Sequence, residues 1–306
     1  MFKVNDLKST KPKLLWLVLP VVLIWGCNFA VMRVGVNDVG PFTLAAMRFF
    51  IAAVPLIFFV RRPKIPFWFI ALYSLTFGFG QFSFLFSAIN LGLPSGMASL
   101  LVQLQAVFTP ILGFFVLRQR ITLNTLFAII ISLSGLVVIL FATVQSANIM
   151  PIVLGTLAAL SWGASNVVIA WGTSRNYDYN PVALVIWASA LLPVPFMFAA
   201  ISSNELQGVG VMDIVNVLPS AIYLGLIATI IAYHLWVKAI SLYNPTNVSP
   251  FSLLIPVIGL FLGSFIFDEV LNTTEIVGCI LVIGGVIVHI INVRRSSSVK
   301  KAQMNH

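Results

Sequence analysis

The sequence has 306 residues, of which 60% are hydrophobic and only 8% charged, with a mean hydropathy of +1.06. A water-facing domain carries about 25% charged residues, so this chain cannot clothe a soluble surface and its solvent must be lipid. The formal charge of +9 would suit a nucleic-acid binder. The basic residues, however, punctuate apolar runs rather than gather on a module, which is the topogenic pattern of a membrane protein.

About 20 apolar residues cross a bilayer as a helix, and strand-period alternation is absent. In chain order the apolar runs predict spans at 14–34, 42–60, 67–90, 95–117, 123–141, 151–172, 182–201, 216–238, 247–267 and 274–293. The first run follows Lys3, Lys8, Lys11 and Lys13. It is longer than the apolar core of a signal peptide, so it reads as a retained helix. The separators are turn-rich or charged: Asn37-Asp38-Val39-Gly40-Pro41, Arg61-Arg62-Pro63-Lys64, Leu93-Pro94-Ser95-Gly96, Arg118-Gln119-Arg120 and Asn244-Pro245-Thr246-Asn247. With ten spans and an inside N-terminus, every Lys and Arg except Arg33 and Arg48 falls on or near the cytoplasmic side. That bias predicts a multi-pass protein of an inner (plasma) membrane, with tails 1–13 and 294–306 both cytoplasmic. Cys27 and Cys279 lie in separate apolar runs and form neither a disulfide framework nor a metal motif.

The two halves carry the same landmarks in the same order. Trp25-Gly26 precedes Gly35 as Trp162-Gly163 precedes Gly172; Pro41 and Pro55 are spaced as Pro181 and Pro195 are; Ala88-Ile89 with Pro94 matches Ala239-Ile240 with Pro245. These matches divide the chain into a first repeat over 14–145 and a second over 151–293. Five helices per repeat is an odd number, so the second repeat enters from the opposite side. The expectation is an all-α fold of ten transmembrane helices in two inverted repeats, an architecture from which secondary transporters derive alternating access. Channels and scaffolding proteins can carry repeats too.

Several stretches together resemble a known family. Trp25-Gly26-Cys27-Asn28-Phe29-Ala30-Val31-Met32-Arg33-Val34-Gly35, Met47-Arg48-Phe49, Gln81-Phe82-Ser83-Phe84-Leu85-Phe86, Ser95-Gly96-Met97-Ala98-Ser99-Leu100, Trp162-Gly163-Ala164-Ser165-Asn166, Ala228-Thr229-Ile230-Ile231-Ala232-Tyr233 and Pro250-Phe251-Ser252-Leu253-Leu254-Ile255-Pro256-Val257 look like the EamA branch of the drug/metabolite transporter superfamily. The resemblance covers about residues 14–293. It implies a basket of ten helices around a central cavity, with the fifth and tenth peripheral, and export of amino acids or related metabolites such as O-acetylserine and cysteine. The sequence departs from that pattern after the fourth span, where Leu117-Arg118-Gln119-Arg120 lacks the usual acid, although Asp268-Glu269 keeps a version of it. His234 stands where a small residue is expected.

Candidate transport residues are few. Trp25 and Asn28 share a face at i, i+3, and Trp162 and Asn166 at i, i+4. An amide can bond both ends of a zwitterion, and a Trp face attracts a cation; the alternative is packing, with Gly26 and Gly163 permitting close approach. Gln81 and Tyr233 complete the candidate substrate-binding set. Gln103 and Gln105, two apart, cannot line one cavity together. For coupling or gating the candidates are Arg48, His234, Pro110 and Pro256. Arg48 reads either as a carboxylate ligand or as a structural Arg bonded to backbone or snorkelling outward; the structural reading is preferred because the resemblance does not place the second span at the cavity. Pro110, Pro250 and Pro256 free backbone groups inside spans, and His289 reads as interfacial. Nucleophile-elbow, zinc, Walker and Cys-x-x-Cys motifs are all missing from the sequence. The expectation is therefore no enzyme, no cofactor, no metal and no nucleic-acid partner, only a small-molecule substrate and the lipid bilayer, with a homodimer left open.

Overall fold

A computed structural model describes residues 11–118, 123–144, 149–243, 252, 254–268, 270, 272–274, 276–285, 287–288 and 291. Residues 11–13, expected in the first tail, belong to α1, while residues 1–10, the tail 294–306, Gln119-Arg120, the Asn244–Asn247 turn, Pro250, Glu269 and His289 lie outside the described residues. Among the described residues the only regular structure is helical. The segments are α1 (Lys11–Val39), α2 (Pro41–Ile57), α3 (Phe67–Asn90), α4 (Ser95–Leu117), α5 (Leu123–Val144), α6 (Met150–Ser174), α7 (Pro181–Ser189, resuming as Pro193–Ser202), α8 (211–243), α9 (Leu254–Phe267) and α10 (Ile276–Gly285). Six of them, α1, α3, α4, α6, α7 and α8, are long and apolar enough to cross a bilayer, and α2, α9 and α10 are shorter apolar helices. Apolar side chains cover the outside as well as the core, with Trp16, Phe58, Phe59, Phe115 and Phe265 more than 70% exposed; a helix apolar all round fits a lipid surround.

The departures from simple spans have local causes. The run predicted over 182–201 is interrupted at Ala190–Leu192, just before Pro193 and Pro195. Proline lacks the N–H and clashes with the carbonyl four residues back, and the residue before it avoids helical backbone. α4 tightens into a turn at Gln103 and Leu104 between Ser95–Val102 and Gln105–Leu117. α3 and α8 each contain a π-helical stretch, Ser74–Gly80 and Tyr223–Ile231. Such widened turns leave carbonyls that need a partner, and Thr229 supplies one by donating to Leu224 O, five residues back, at 2.8 Å.

Packing runs between the halves. α1 lies against α8 and α9, α6 against α3 and α4, α2 against α7 and α8, and α4 against α9. Exchanging the two halves turns each of the α1 pairings into an α6 pairing. The close approaches follow the same rule: Gly26 of α1 faces Ile258 of α9, and Gly163 of α6 faces Phe108 of α4. A Cβ at either glycine would press on its neighbour, so these positions let helix backbones meet.

Two contacts tie the ends of the bundle. At one end Glu205, in the turn after α7, accepts hydrogen bonds from the backbone N–H of Phe42 (3.1 Å) and Thr43 (2.9 Å) and from the Thr43 hydroxyl (3.0 Å). A carboxylate there satisfies the unpaired N–H groups of the first turn of α2 and meets the positive end of its dipole. Gly40, at φ 82°, leaves room for it, since a Cβ would lie 2.8 Å from the Glu205 carboxyl carbon. At the other end Trp187 of α7 donates to Val60 O at 3.0 Å, and Phe69, Trp171, Tyr177 and Tyr179 form an aromatic cluster with centroids 5.2–6.2 Å from Phe69.

Candidate functional site

Between the halves lies a central cavity of about 40 Å³. A buried water needs roughly 10–15 Å³ of such space, so this conformation has room for a few waters and holds the site narrow. α1 contributes Trp25, Asn28, Phe29 and Met32; α2 contributes Arg48; α3 contributes Gln81, Phe82 and Leu85; the α4 turn contributes Val102 and Gln103; Trp162, Tyr233 and Ile255 come from α6, α8 and α9.

Three polar side chains dominate this wall, and each keeps an unused hydrogen-bonding atom. Arg48 is 3% exposed, Asn28 7% and Gln81 4%. Arg48 bonds through Nε (3.2 Å) and Nη2 (3.0 Å) to the Thr229 hydroxyl, and its guanidinium lies 4.1 Å from the Phe82 ring centroid and 5.6 Å from that of Phe49. Its Nη1 has no partner. Asn28 meets only the Met32 sulfur, at 3.9 Å through Nδ2, and its Oδ1 has no partner; neither has Gln81 Oε1. Native structures leave few buried polar atoms unpaired, because each costs about 1–3 kcal/mol. One cationic donor and two acceptors without a protein partner thus meet on the wall of one cavity, where water or a polar solute can satisfy them.

Aromatic side chains brace the polar ones. Trp25 Nε1 donates to Ala228 O at 3.0 Å, inside the π-helical stretch of α8, and the Trp25 ring packs edge-on to Tyr233 (5.2 Å) and against Trp236 (5.3 Å). The Tyr223 hydroxyl donates to Ile24 O at 2.7 Å. These bonds fix the α1–α8 seam, and Trp25 and Tyr233 both line the cavity. Gln103, at the α4 turn, reaches across to Ser252 O at 3.1 Å.

The structure thus gathers Trp25, Asn28, Gln81, Trp162, Tyr233 and Arg48 around one space. Contrary to the expectation for the second span, α2 is a cavity helix: Arg48 is buried with its guanidinium on the wall rather than snorkelling outward. Asn166 does not join them. Its Nδ2 donates to Gln105 Oε1 (2.7 Å) and to the Thr109 hydroxyl (3.1 Å), tying α6 to α4. Gln103 lines the cavity and Gln105 faces Asn166. His234 is exposed, within α8 and off the cavity wall. Pro110 lies within the helical stretch Gln105–Leu117 and off the cavity wall. Pro256 is buried within α9 and does not line the cavity. Sequence reading missed Thr229 and Glu205; each acts through a partner more than 160 positions away, and no local pattern marks such a pairing.

Comparison with known proteins agrees with this architecture. The model of the EamA-like transporter family matches residues 12–141 and again 149–291. Similar proteins include one named "Probable amino-acid metabolite efflux pump" from Escherichia coli (strain K12), 36% identical over 291 residues, spanning 93% of this chain and 97% of that protein. A protein of the same name from Salmonella typhimurium (strain LT2) is 36% identical over 297 residues with the same coverage. A "Probable terminal-alkyne amino-acid exporter" from Streptantibioticus cattleyicolor is 25% identical over 282 residues, 90% of this chain and 92% of that one. A solved crystal structure superimposes with a TM-score of 0.57 at 20% identity, covering 94% of this chain and 100% of that one, a likeness of fold alone. With a family match in each half and full-length relatives above 30% identity, the chain is a multi-pass membrane protein that belongs to the EamA-like transporter family.

Proposed function

We propose that this transporter exports small amino-acid-type metabolites, of the kind represented by O-acetylserine and cysteine, as a secondary carrier in the plasma membrane. The observation that carries the reading is the set of unpaired atoms in the central cavity: Arg48 Nη1 as a cationic donor, with Asn28 Oδ1 and Gln81 Oε1 as acceptors. A zwitterionic amino acid presents the complement, a carboxylate for the guanidinium and an ammonium for the amide oxygens and the faces of Trp25, Trp162 and Tyr233. The names of the full-length relatives point to the same cargo class.

Alternating access between two inverted five-helix repeats, with both termini cytoplasmic, supplies the movement in this reading. The landmarks shared by the halves, the exchange of packing partners and the paired π-helical stretches support it. The narrow cavity suits a conformation whose walls must part before cargo enters. Counterflow of labelled O-acetylserine into loaded proteoliposomes tests the proposal; absence of protein-dependent flux with any small amino acid would sink it. The aromatic wall of Trp25, Phe29, Phe82, Trp162 and Tyr233 favours a second cargo reading, aromatic amino acids or drug-like amphiphiles. Comparing metabolites in the medium of overexpressing and deleted cells separates the two.

A further inference from the structure

A second cleft, of about 360 Å³, opens between α3, α4 and α6 on the side of α6 away from the central cavity. Trp68, Leu72 and Thr76 form one stripe of α3 at successive i, i+4 positions, Val116 comes from α4, and α6 contributes a stripe ending at Trp171. The polar groups of its lining are the indole N–H groups of Trp68 and Trp171 and the Thr76 hydroxyl, which donates to Leu72 O (3.0 Å) and Tyr73 O (3.3 Å). An occupant of this cleft finds mostly hydrocarbon and, among its lining residues, no charged group to meet a carboxylate or an ammonium, so the cleft does not suit an amino acid.

The mouth of the cleft has a different chemistry. Trp68 and Trp171 meet edge-on there at 5.4 Å. The Arg175 guanidinium lies 5.1 Å from the Trp171 ring, and that of Arg62 lies 5.5 Å from the ring of Phe67, the neighbour of Trp68. Both arginines are exposed, and neither is in an ion pair among the described residues. A guanidinium resting on an aromatic face keeps its edge N–H groups free for a bidentate anion, and Trp at the end of an apolar helix marks the depth of the headgroups.

We propose that this cleft binds an anionic phospholipid, with an acyl chain between α3, α4 and α6 and the headgroup phosphate on Arg175, flanked by Arg62. Free phosphate would leave the apolar cleft unfilled, and a zwitterionic lipid would gain less from two uncompensated arginines. The proposal is independent of the cargo, because no cleft residue lines the central cavity.

Tryptophan quenching by lipids brominated on the acyl chains tests it on the full chain in detergent. Brominated phosphatidylglycerol should reach half-quenching at a concentration about tenfold lower than brominated phosphatidylcholine. Replacing both Trp68 and Trp171 with Phe should remove most of that quenching. Arg62→Gln with Arg175→Gln, both exposed and so no threat to folding, should bring the two lipids within about twofold of each other. Ala164→Leu, which narrows the cleft, should weaken quenching by phosphatidylglycerol. Equal quenching by the two lipids in the unsubstituted protein, or a phosphatidylglycerol preference that survives loss of both arginines, would overturn the proposal. So would full displacement by glycerol 1-phosphate, which would mark a phosphate site without a chain groove.

Discussion

Two helix pairs occupy equivalent places in the two halves and are finished differently. In one, α3 packs on α7, and the Ser74 hydroxyl donates to Ala188 O at 2.7 Å. In the other, α8 packs on α2, and the residue equivalent to Ala188, 140 positions earlier, is Arg48. There the hydroxyl of Thr229 accepts two guanidinium hydrogen bonds and donates its own to Leu224 O. The first contact is closed, with backbone and side chain satisfied. The second brings a charge to the cavity with one nitrogen to spare. Duplication can supply a symmetric scaffold, but the amino-acid cargo proposed above has two unlike ends, and recognising both would require that the copies diverge where they meet.

The sharpest way to break this comparison is to exchange the two treatments. Arg48→Gln should lower counterflow of labelled O-acetylserine about 100-fold, since a charge-assisted bond to a carboxylate contributes up to about 3 kcal/mol. Ala188→Ser, at the equivalent place, should change it by no more than about twofold. Similar losses from both would show that the helix contact matters and the charge does not. Next in size, Asn28→Ala and Gln81→Ala should each weaken the apparent affinity about tenfold at unchanged protein yield. Asn166→Ala should instead lower thermal stability in detergent by about 1 kcal/mol, with affinity little changed. If Asn166→Ala acts on affinity as Asn28→Ala does, the division between cavity and α4–α6 tie is wrong. Glu205→Ala, which uncaps α2, should cost about 1–2 kcal/mol of stability. The smallest effect belongs to Ser74→Ala, about 1 kcal/mol with transport retained.

Much of the fold was legible because lipid imposes a length on every apolar run, and punctuation by Arg, Lys, Pro and Gly marks the ends. Landmarks such as Trp25-Gly26 and Trp162-Gly163 were legible because close helix approach admits so few residue types. What remained hidden was rotation and local winding. α2 is apolar on nearly every side, so nothing in its sequence says which face Arg48 shares with the cavity. Trp25-x-x-Asn28 and Trp162-x-x-x-Asn166 look alike on paper, yet one amide faces open space and the other meets Gln105 and Thr109. π-helical stretches have no composition of their own, and the Ala190–Leu192 interruption was written in Pro193 and Pro195 but is easily masked by the apolar run around them.

The unshared nitrogen of Arg48 has one more consequence, for the membrane rather than for the cargo. Among the described residues lining the central cavity none is an Asp, Glu or His, and the charged side chain on that wall is the Arg48 guanidinium. A lone positive charge in a narrow passage is an electrostatic barrier to hydronium and sodium, as it is in pores that pass water but not ions. It does not exclude a zwitterion, which carries its own carboxylate to meet it. On the proposed reading, the residue that meets the cargo's carboxylate would thereby also keep the empty carrier from short-circuiting the potential across the bilayer.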